Sequence, residues 1–141
     1  MKAVVLCVRG KVEYREVEKP QIGERDLLIE VKACGICGSD LHFFYGGMEP
    51  IGEVPLVMGH EFAGIIVEKG KEVEDYWQIG DRVVSDNTGG ACGRCASCAR
   101  GNFVACEQRQ TMGITMDGGF TKYVKIPGSL LEMYKNCLWK I

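Results

Sequence analysis

Apolar positions along the chain fall into short runs, many of them β-branched and broken by glycine: 3–8, 12–17, 27–33, 64–68, 82–85 and 121–126. Runs of this length and composition predict strands. From Leu27 to Ala33 the residues Leu27, Ile29 and Val31 alternate with Leu28, Glu30 and Lys32, which predicts a strand with one face in a core. Long helical periodicity is missing. One short helix is predicted from Asp40 to Tyr45, with Ser39 as its cap, so that Ser39 and His42 lie three apart on one face. The pattern lapses between Asn87 and Met112, a glycine-rich stretch that reads as a long irregular excursion. The expected fold is mainly β, a barrel or sandwich carrying that excursion and short helices.

Composition narrows the picture. With 141 residues and 46% hydrophobic content, the chain can build one ordinary domain with a real core. A net charge of −2 supplies no basic field for a nucleic acid. No apolar run approaches the roughly 18 residues that would span a bilayer. The apolar run after Lys2 is too short for an export signal. Eight cysteines without such a signal are expected in a reducing compartment, so the location is read as cytoplasmic.

Four of those cysteines, Cys92, Cys95, Cys98 and Cys106, are crowded into the excursion with two, two and seven residues between them. Thiolates at this spacing can reach one zinc ion, which takes four soft ligands at about 2.3 Å in a tetrahedron. Ligation would also stabilise a segment with few apolar residues to pack, by on the order of 10 kcal/mol in closed sites. Disulfide pairing is the alternative, and it fits both spacing and compartment less well.

A second constellation is more ambiguous. The only two histidines are His42, in Cys37-Gly38-Ser39-Asp40-Leu41-His42, and His60, in Gly59-His60-Glu61. Cys37, His60 and Glu61 offer a thiolate, an imidazole and a carboxylate, a mixed set suited to a catalytic zinc with an open position. On residues alone, His60 reads equally well as a satisfied core histidine. The pair Cys34 and Cys37 also has redox-motif spacing, but lacks the βαβ setting such motifs occupy.

Taken together, the two constellations strongly resemble the zinc-containing medium-chain alcohol dehydrogenases. The resemblance rests on Cys34-Gly35-Ile36-Cys37-Gly38-Ser39-Asp40-Leu41-His42, on Gly59-His60-Glu61-Phe62-Ala63-Gly64 with Gly70 and Val73, on Gly80-Asp81-Arg82-Val83 and on Asp117-Gly118-Gly119-Phe120-Thr121. It runs from Met1 to about Leu130 and is nearest to the polyol, threonine and butanediol dehydrogenase branch. It implies a GroES-like β-barrel over residues 1–130, with the lobe 87–112 stapled by a structural zinc on Cys92, Cys95, Cys98 and Cys106. It further implies a catalytic zinc on Cys37 and His60, with Glu61 as a direct or closely associated carboxylate. Ser39 and His42 would form a proton relay; without the resemblance they read as a helix cap and a solvated ring. The implied substrate is a small alcohol or polyol and the hydride acceptor NAD or NADP. Cys7, Cys34 and Cys137 match no ligand position, and Cys7 and Cys34 are expected to be small buried hydrophobes.

The sequence departs from its relatives in one respect. Nowhere do two glycines stand as Gly-x-Gly, so the dinucleotide fingerprint is absent and a Rossmann domain with it. The tail 131–141 looks out of family. The expectation is therefore a truncated catalytic domain, inactive alone and prone to form homo-oligomers through uncovered strand edges. The competing expectation is a non-enzymatic zinc-binding interaction module.

Overall fold

A computed structural model describes residues 1–87, 89–133 and 138–141. Cys137, one of the cysteines matching no ligand position, lies outside them. Strands dominate: β1 (Lys2–Val8), β2 (Lys11–Glu16), β3 (Leu27–Gly35), β4 (Leu56–Val57), β5 (Glu61–Lys69), β6 (Arg82–Ser85), β7 (Tyr123–Ile126) and β8 (Leu138–Lys140). The helices α1 (Gly38–Phe44), α2 (Ala96–Ala99) and α3 (Gly128–Leu131) are short. The predicted mainly β, GroES-like architecture is what forms.

Two antiparallel sheets build it. One has the order β2-β1-β4, the other β7-β3-β5-β6-β8. The hairpin joining β1 to β2 turns on Arg9-Gly10, since Val8 pairs with Lys11 and Gly10 supplies a φ of 68°. Residues 120–122 stitch the sheets together. Val4 donates to the Phe120 carbonyl at 2.9 Å, Phe120 to that of Met58 at 2.9 Å, and Val31 to that of Lys122 at 2.9 Å. The main core is centred on Leu27, Ile29, Phe62, Ile66, Val83, Val124 and Ile126 of the five-stranded sheet, while β1 and β4 bury Ala3, Val5, Leu6, Leu56 and Val57 in smaller clusters.

Several local expectations are corrected. Leu28 is fully buried beside Leu27 and Ile29, because β3 lies between β5 and β7 and a bulge between Leu28 and Ile29 breaks the alternation. The helix begins two residues before Asp40, so Cys37 rather than Ser39 flanks it, and the Asp40 carboxylate accepts the Cys37 N–H at 2.8 Å. Cys7 and Cys34 are only half-buried: Cys7 sits in the bulge of β1, and Cys34 in the solvent-facing end of β3. The short β4 and the helices α2 and α3 escaped the periodicity. The tail supplies β8, which pairs with β6 from Val83↔Lys140 to Ser85↔Leu138 and covers an edge expected to lie open.

The strand β5 starts at Glu61, immediately after His60, so the backbone just before it fixes where both side chains point. Gly59 has φ 92°, and a Cβ there would lie 2.7 Å from the Phe120 nitrogen. Gly119 in turn donates to the Gly59 carbonyl at 2.7 Å. Gly59→Ala is therefore expected to destabilise the fold by about 3 kcal/mol, from backbone strain and a clash that neither segment can relieve. A denaturant midpoint equal to that of the parent chain would show that this close approach is dispensable.

Candidate metal centres

The pairing of β3 with β5 sets Gly35 opposite Glu61 and Cys34 opposite Phe62. Cys37, two residues beyond β3, and His60, one residue before β5, thus meet at the same end of the barrel. One donor atom from each of Cys37, His60 and Glu61 lies within 4.8 Å of the others. His60 is buried at 2% exposure, Cys37 is half-buried and Glu61 faces solvent. Such a cluster is closed on the protein side and open on the other.

Asp40 stands behind it. Its Oδ2 accepts the Cys37 N–H, while Oδ1 faces His60 Nδ1 at 3.6 Å. Both Asp40 Oδ1 and His60 Nδ1 are buried and have no hydrogen-bond partner. A carboxylate placed on the Nδ1 side of a histidine whose Nε2 faces the open side is the arrangement that orients metal-binding histidines. Burial raises the Asp40 pKa above the ordinary carboxylate value, and the Cys37 N–H and His60 work against it. The sequence reading assigned Asp40 to the helix start. Its signal was the spacing: a carboxylate three residues after the residue that flanks a helix can return to that residue's N–H.

The other residues singled out have distinct places. Ser39, in the first turn of α1, hydrogen-bonds through Oγ to His60 Nε2 at 3.2 Å, so the hydroxyl lies beside the imidazole nitrogen on the open side of the cluster. His42 is exposed in the last turn of α1, and its carbonyl accepts the Gly47 N–H at 2.8 Å. Cys34 stays outside the cluster; burial pushes its thiol up to about 11, which keeps it protonated at neutral pH. Ser85, also unnoticed in the sequence, accepts from the Phe62 N–H at 2.8 Å and donates to the His60 carbonyl at 2.7 Å.

The four-cysteine lobe forms its own small cluster around Ala91, Cys98 and Cys106. Its four sulfurs lie within 4.8 Å of one another. A tetrahedron with bonds of about 2.3 Å has edges of about 3.8 Å. The sulfurs of Cys106 and Cys92 are 3.6 Å apart, close to that edge and far beyond the roughly 2.05 Å of a disulfide. Backbone N–H groups of Cys98 and Glu107 hold Cys95 down to about 6, whereas burial pushes Cys98 up to about 12. A cation bound here would let all four sulfurs ionise together.

Comparison with known proteins settles the lineage. The alcohol dehydrogenase GroES-like domain model matches residues 23–135. The chain belongs to that family. An uncharacterized zinc-type alcohol dehydrogenase-like protein, YdjL, of Escherichia coli K12 is 41% identical over 135 residues, which cover 94% of this chain and 37% of that protein. A sorbitol dehydrogenase of Halalkalibacterium halodurans is 41% identical over 126 residues, 88% of this chain and 36% of the relative. Among solved structures, a protein of Sinorhizobium meliloti 1021 described as a zinc-binding dehydrogenase, with NADP bound, superposes with a TM-score of 0.80 at 38% identity. That match covers 99% of this chain and 38% of the other. The chain thus spans somewhat over a third of the length of these relatives.

For this alcohol dehydrogenase GroES-like domain, Asp40→Asn is a direct test of the polar backing. One amide oxygen cannot serve both Cys37 and His60, so the affinity of the Cys37, His60 and Glu61 cluster for zinc is expected to fall by about 10- to 100-fold. Competition with a chromophoric chelator reads this, with the four-cysteine zinc as internal control. Unchanged affinity would remove Asp40 from the centre.

Proposed function

We propose that this chain is the zinc-binding catalytic domain of an NAD(P)-dependent alcohol or polyol dehydrogenase. The observation that carries the reading is the convergence of Cys37, His60 and Glu61 in front of a buried carboxylate. The donor set is that of zinc: one sulfur, one nitrogen and one oxygen, with solvent on the remaining side. Asp40 Oδ1 and His60 Nδ1 face each other at 3.6 Å with no hydrogen-bond partner, and metal binding at Nε2 would give this pairing its purpose.

When bound there, zinc acts as a Lewis acid that lowers the pKa of a substrate hydroxyl. The protein's own part is to hold that hydroxyl and remove its proton. Ser39 Oγ, 3.2 Å from His60 Nε2, would accept a hydrogen bond from an alcohol placed between them. His42, exposed on the same helix, passes the proton to solvent. The lobe 87–112, with zinc on Cys92, Cys95, Cys98 and Cys106, has a structural role. A nicotinamide would supply the hydride acceptor, and these 141 residues contain no Gly-x-Gly with which to hold it. A cytoplasmic location belongs to the same reading, from the cysteine content.

Metal analysis and turnover test it together. The purified chain is expected to carry two zinc ions and to give no NAD(P)-dependent oxidation of secondary alcohols or polyols on its own. A stoichiometry of one would favour a zinc-binding interaction module instead, and a clear rate would overturn the incapacity of the isolated domain.

Self-association is part of the proposal as well. Ile36, Leu41, Phe44 and Tyr45 are exposed around α1, and apolar surface of this kind seeks a partner. Sedimentation at micromolar concentration is expected to show species larger than one chain, and a clean monomer speaks against it.

A further inference from the structure

Asn87 belongs to no motif in the sequence and to neither cluster of ligands. Its Nδ2 nevertheless donates to Glu61 Oε1 at 3.0 Å. We infer that Asn87 is a positioning residue for Glu61, holding one carboxylate oxygen so that the other is available to the cation shared with Cys37 and His60. The inference rests on the zinc reading of that cluster and adds to it the means by which an exposed ligand is kept in place.

The end of β6 grips the start of β5 at two levels. Ser85 bridges the peptide units on either side of Glu61, through the His60 carbonyl and the Phe62 N–H. Two residues later, Asn87 reaches the Glu61 carboxylate. The backbone of Glu61 is thus fixed by one residue and its side chain by the other. Asn87 is itself anchored to the four-cysteine lobe. Arg109 Nη2 donates to the Asn87 carbonyl at 3.3 Å and Nη1 to the Val104 carbonyl at 3.4 Å, while the Arg109 N–H reaches the Cys106 carbonyl at 3.1 Å.

An amide is suited to this task. It donates without adding charge, so it orients a carboxylate while leaving its negative charge for the cation. In water such a bond stabilises the fold little. Its effect is preorganisation: a free glutamate has several rotamers, and ordering them at the moment of binding weakens affinity. Hydrogen-bond partners of ligating carboxylates commonly alter metal affinity by about 10- to 100-fold.

Cobalt(II) tests this. With one equivalent of zinc in the four-cysteine lobe, Co2+ titrated into the second centre is expected to give the visible absorption of a low-symmetry site and the charge-transfer band of a single thiolate. Asn87→Ala should weaken this binding by about 10-fold with unchanged circular dichroism. In a Glu61→Gln background, whose own affinity is lower, adding Asn87→Ala should cause no further loss. Equal Co2+ affinity in Asn87→Ala and the parent chain would overturn the inference alone. Equal losses in both backgrounds would also overturn it, since Asn87 would then act on the fold. If the parent chain develops no single-thiolate spectrum, the zinc reading of the cluster fails first and the inference with it.

Discussion

The antiparallel register between β3 and β5 is the constraint on which the candidate site depends. Residues 37 and 60 are distant in the chain, and only the pairing that runs from Leu27↔Lys69 to Gly35↔Glu61 brings them to one end of the barrel. Two bulges, between Leu28 and Ile29 and between Val31 and Ala33, adjust the ladder on the way. A slip of one residue would send the side chain of Glu61 to the opposite face. The register is in turn held by what each face buries: Ile29, Phe62 and Ile66 in the core, with Val83 from the neighbouring strand.

At the end of that ladder the buried polar groups are few, and two of them, Asp40 Oδ1 and His60 Nδ1, face each other at 3.6 Å without a hydrogen bond. Asp40 uses one oxygen to satisfy the entry to α1 and the other to face an imidazole. A buried carboxylate without such partners is costly, so its presence beneath a histidine marks a group kept for what it does to that histidine. Ser85 answers the two peptide groups that flank Glu61. The site is therefore built on backbone that is already satisfied, which leaves Cys37, His60 and Glu61 free to turn their donors outward.

The lobe follows a different logic. Its cluster of Ala91, Cys98 and Cys106, with Phe103 partly buried against it, encloses little apolar surface for a segment of its length. The divergent proton affinities of Cys95 and Cys98 follow from backbone N–H groups that favour one thiolate and burial that disfavours the other. A divalent cation would offset the burial of the thiolates, which is why metal and fold are coupled in such loops.

How much of this could be read in advance varies with the kind of signal. Strands such as Val12–Val17, found one residue earlier as β2, and Arg82–Ser85, found as β6, were legible because β-branched runs need little context. The four cysteines were legible as a metal set because their donors are neighbours in the chain. Leu28, the Cys37 boundary of α1 and β8 were not, since each is decided by what packs or pairs from elsewhere. Asp40, Ser85 and Asn87 escaped for the same reason: each acts on a residue, His60 or Glu61, that folding alone brings near. By itself the sequence determined which chemistry was on offer, because residue identity sets donor softness, charge and local conformational preference. The tertiary structure decided which donors share a space and which polar groups stand behind them, because those distances follow from strand register and core packing rather than from separation along the chain.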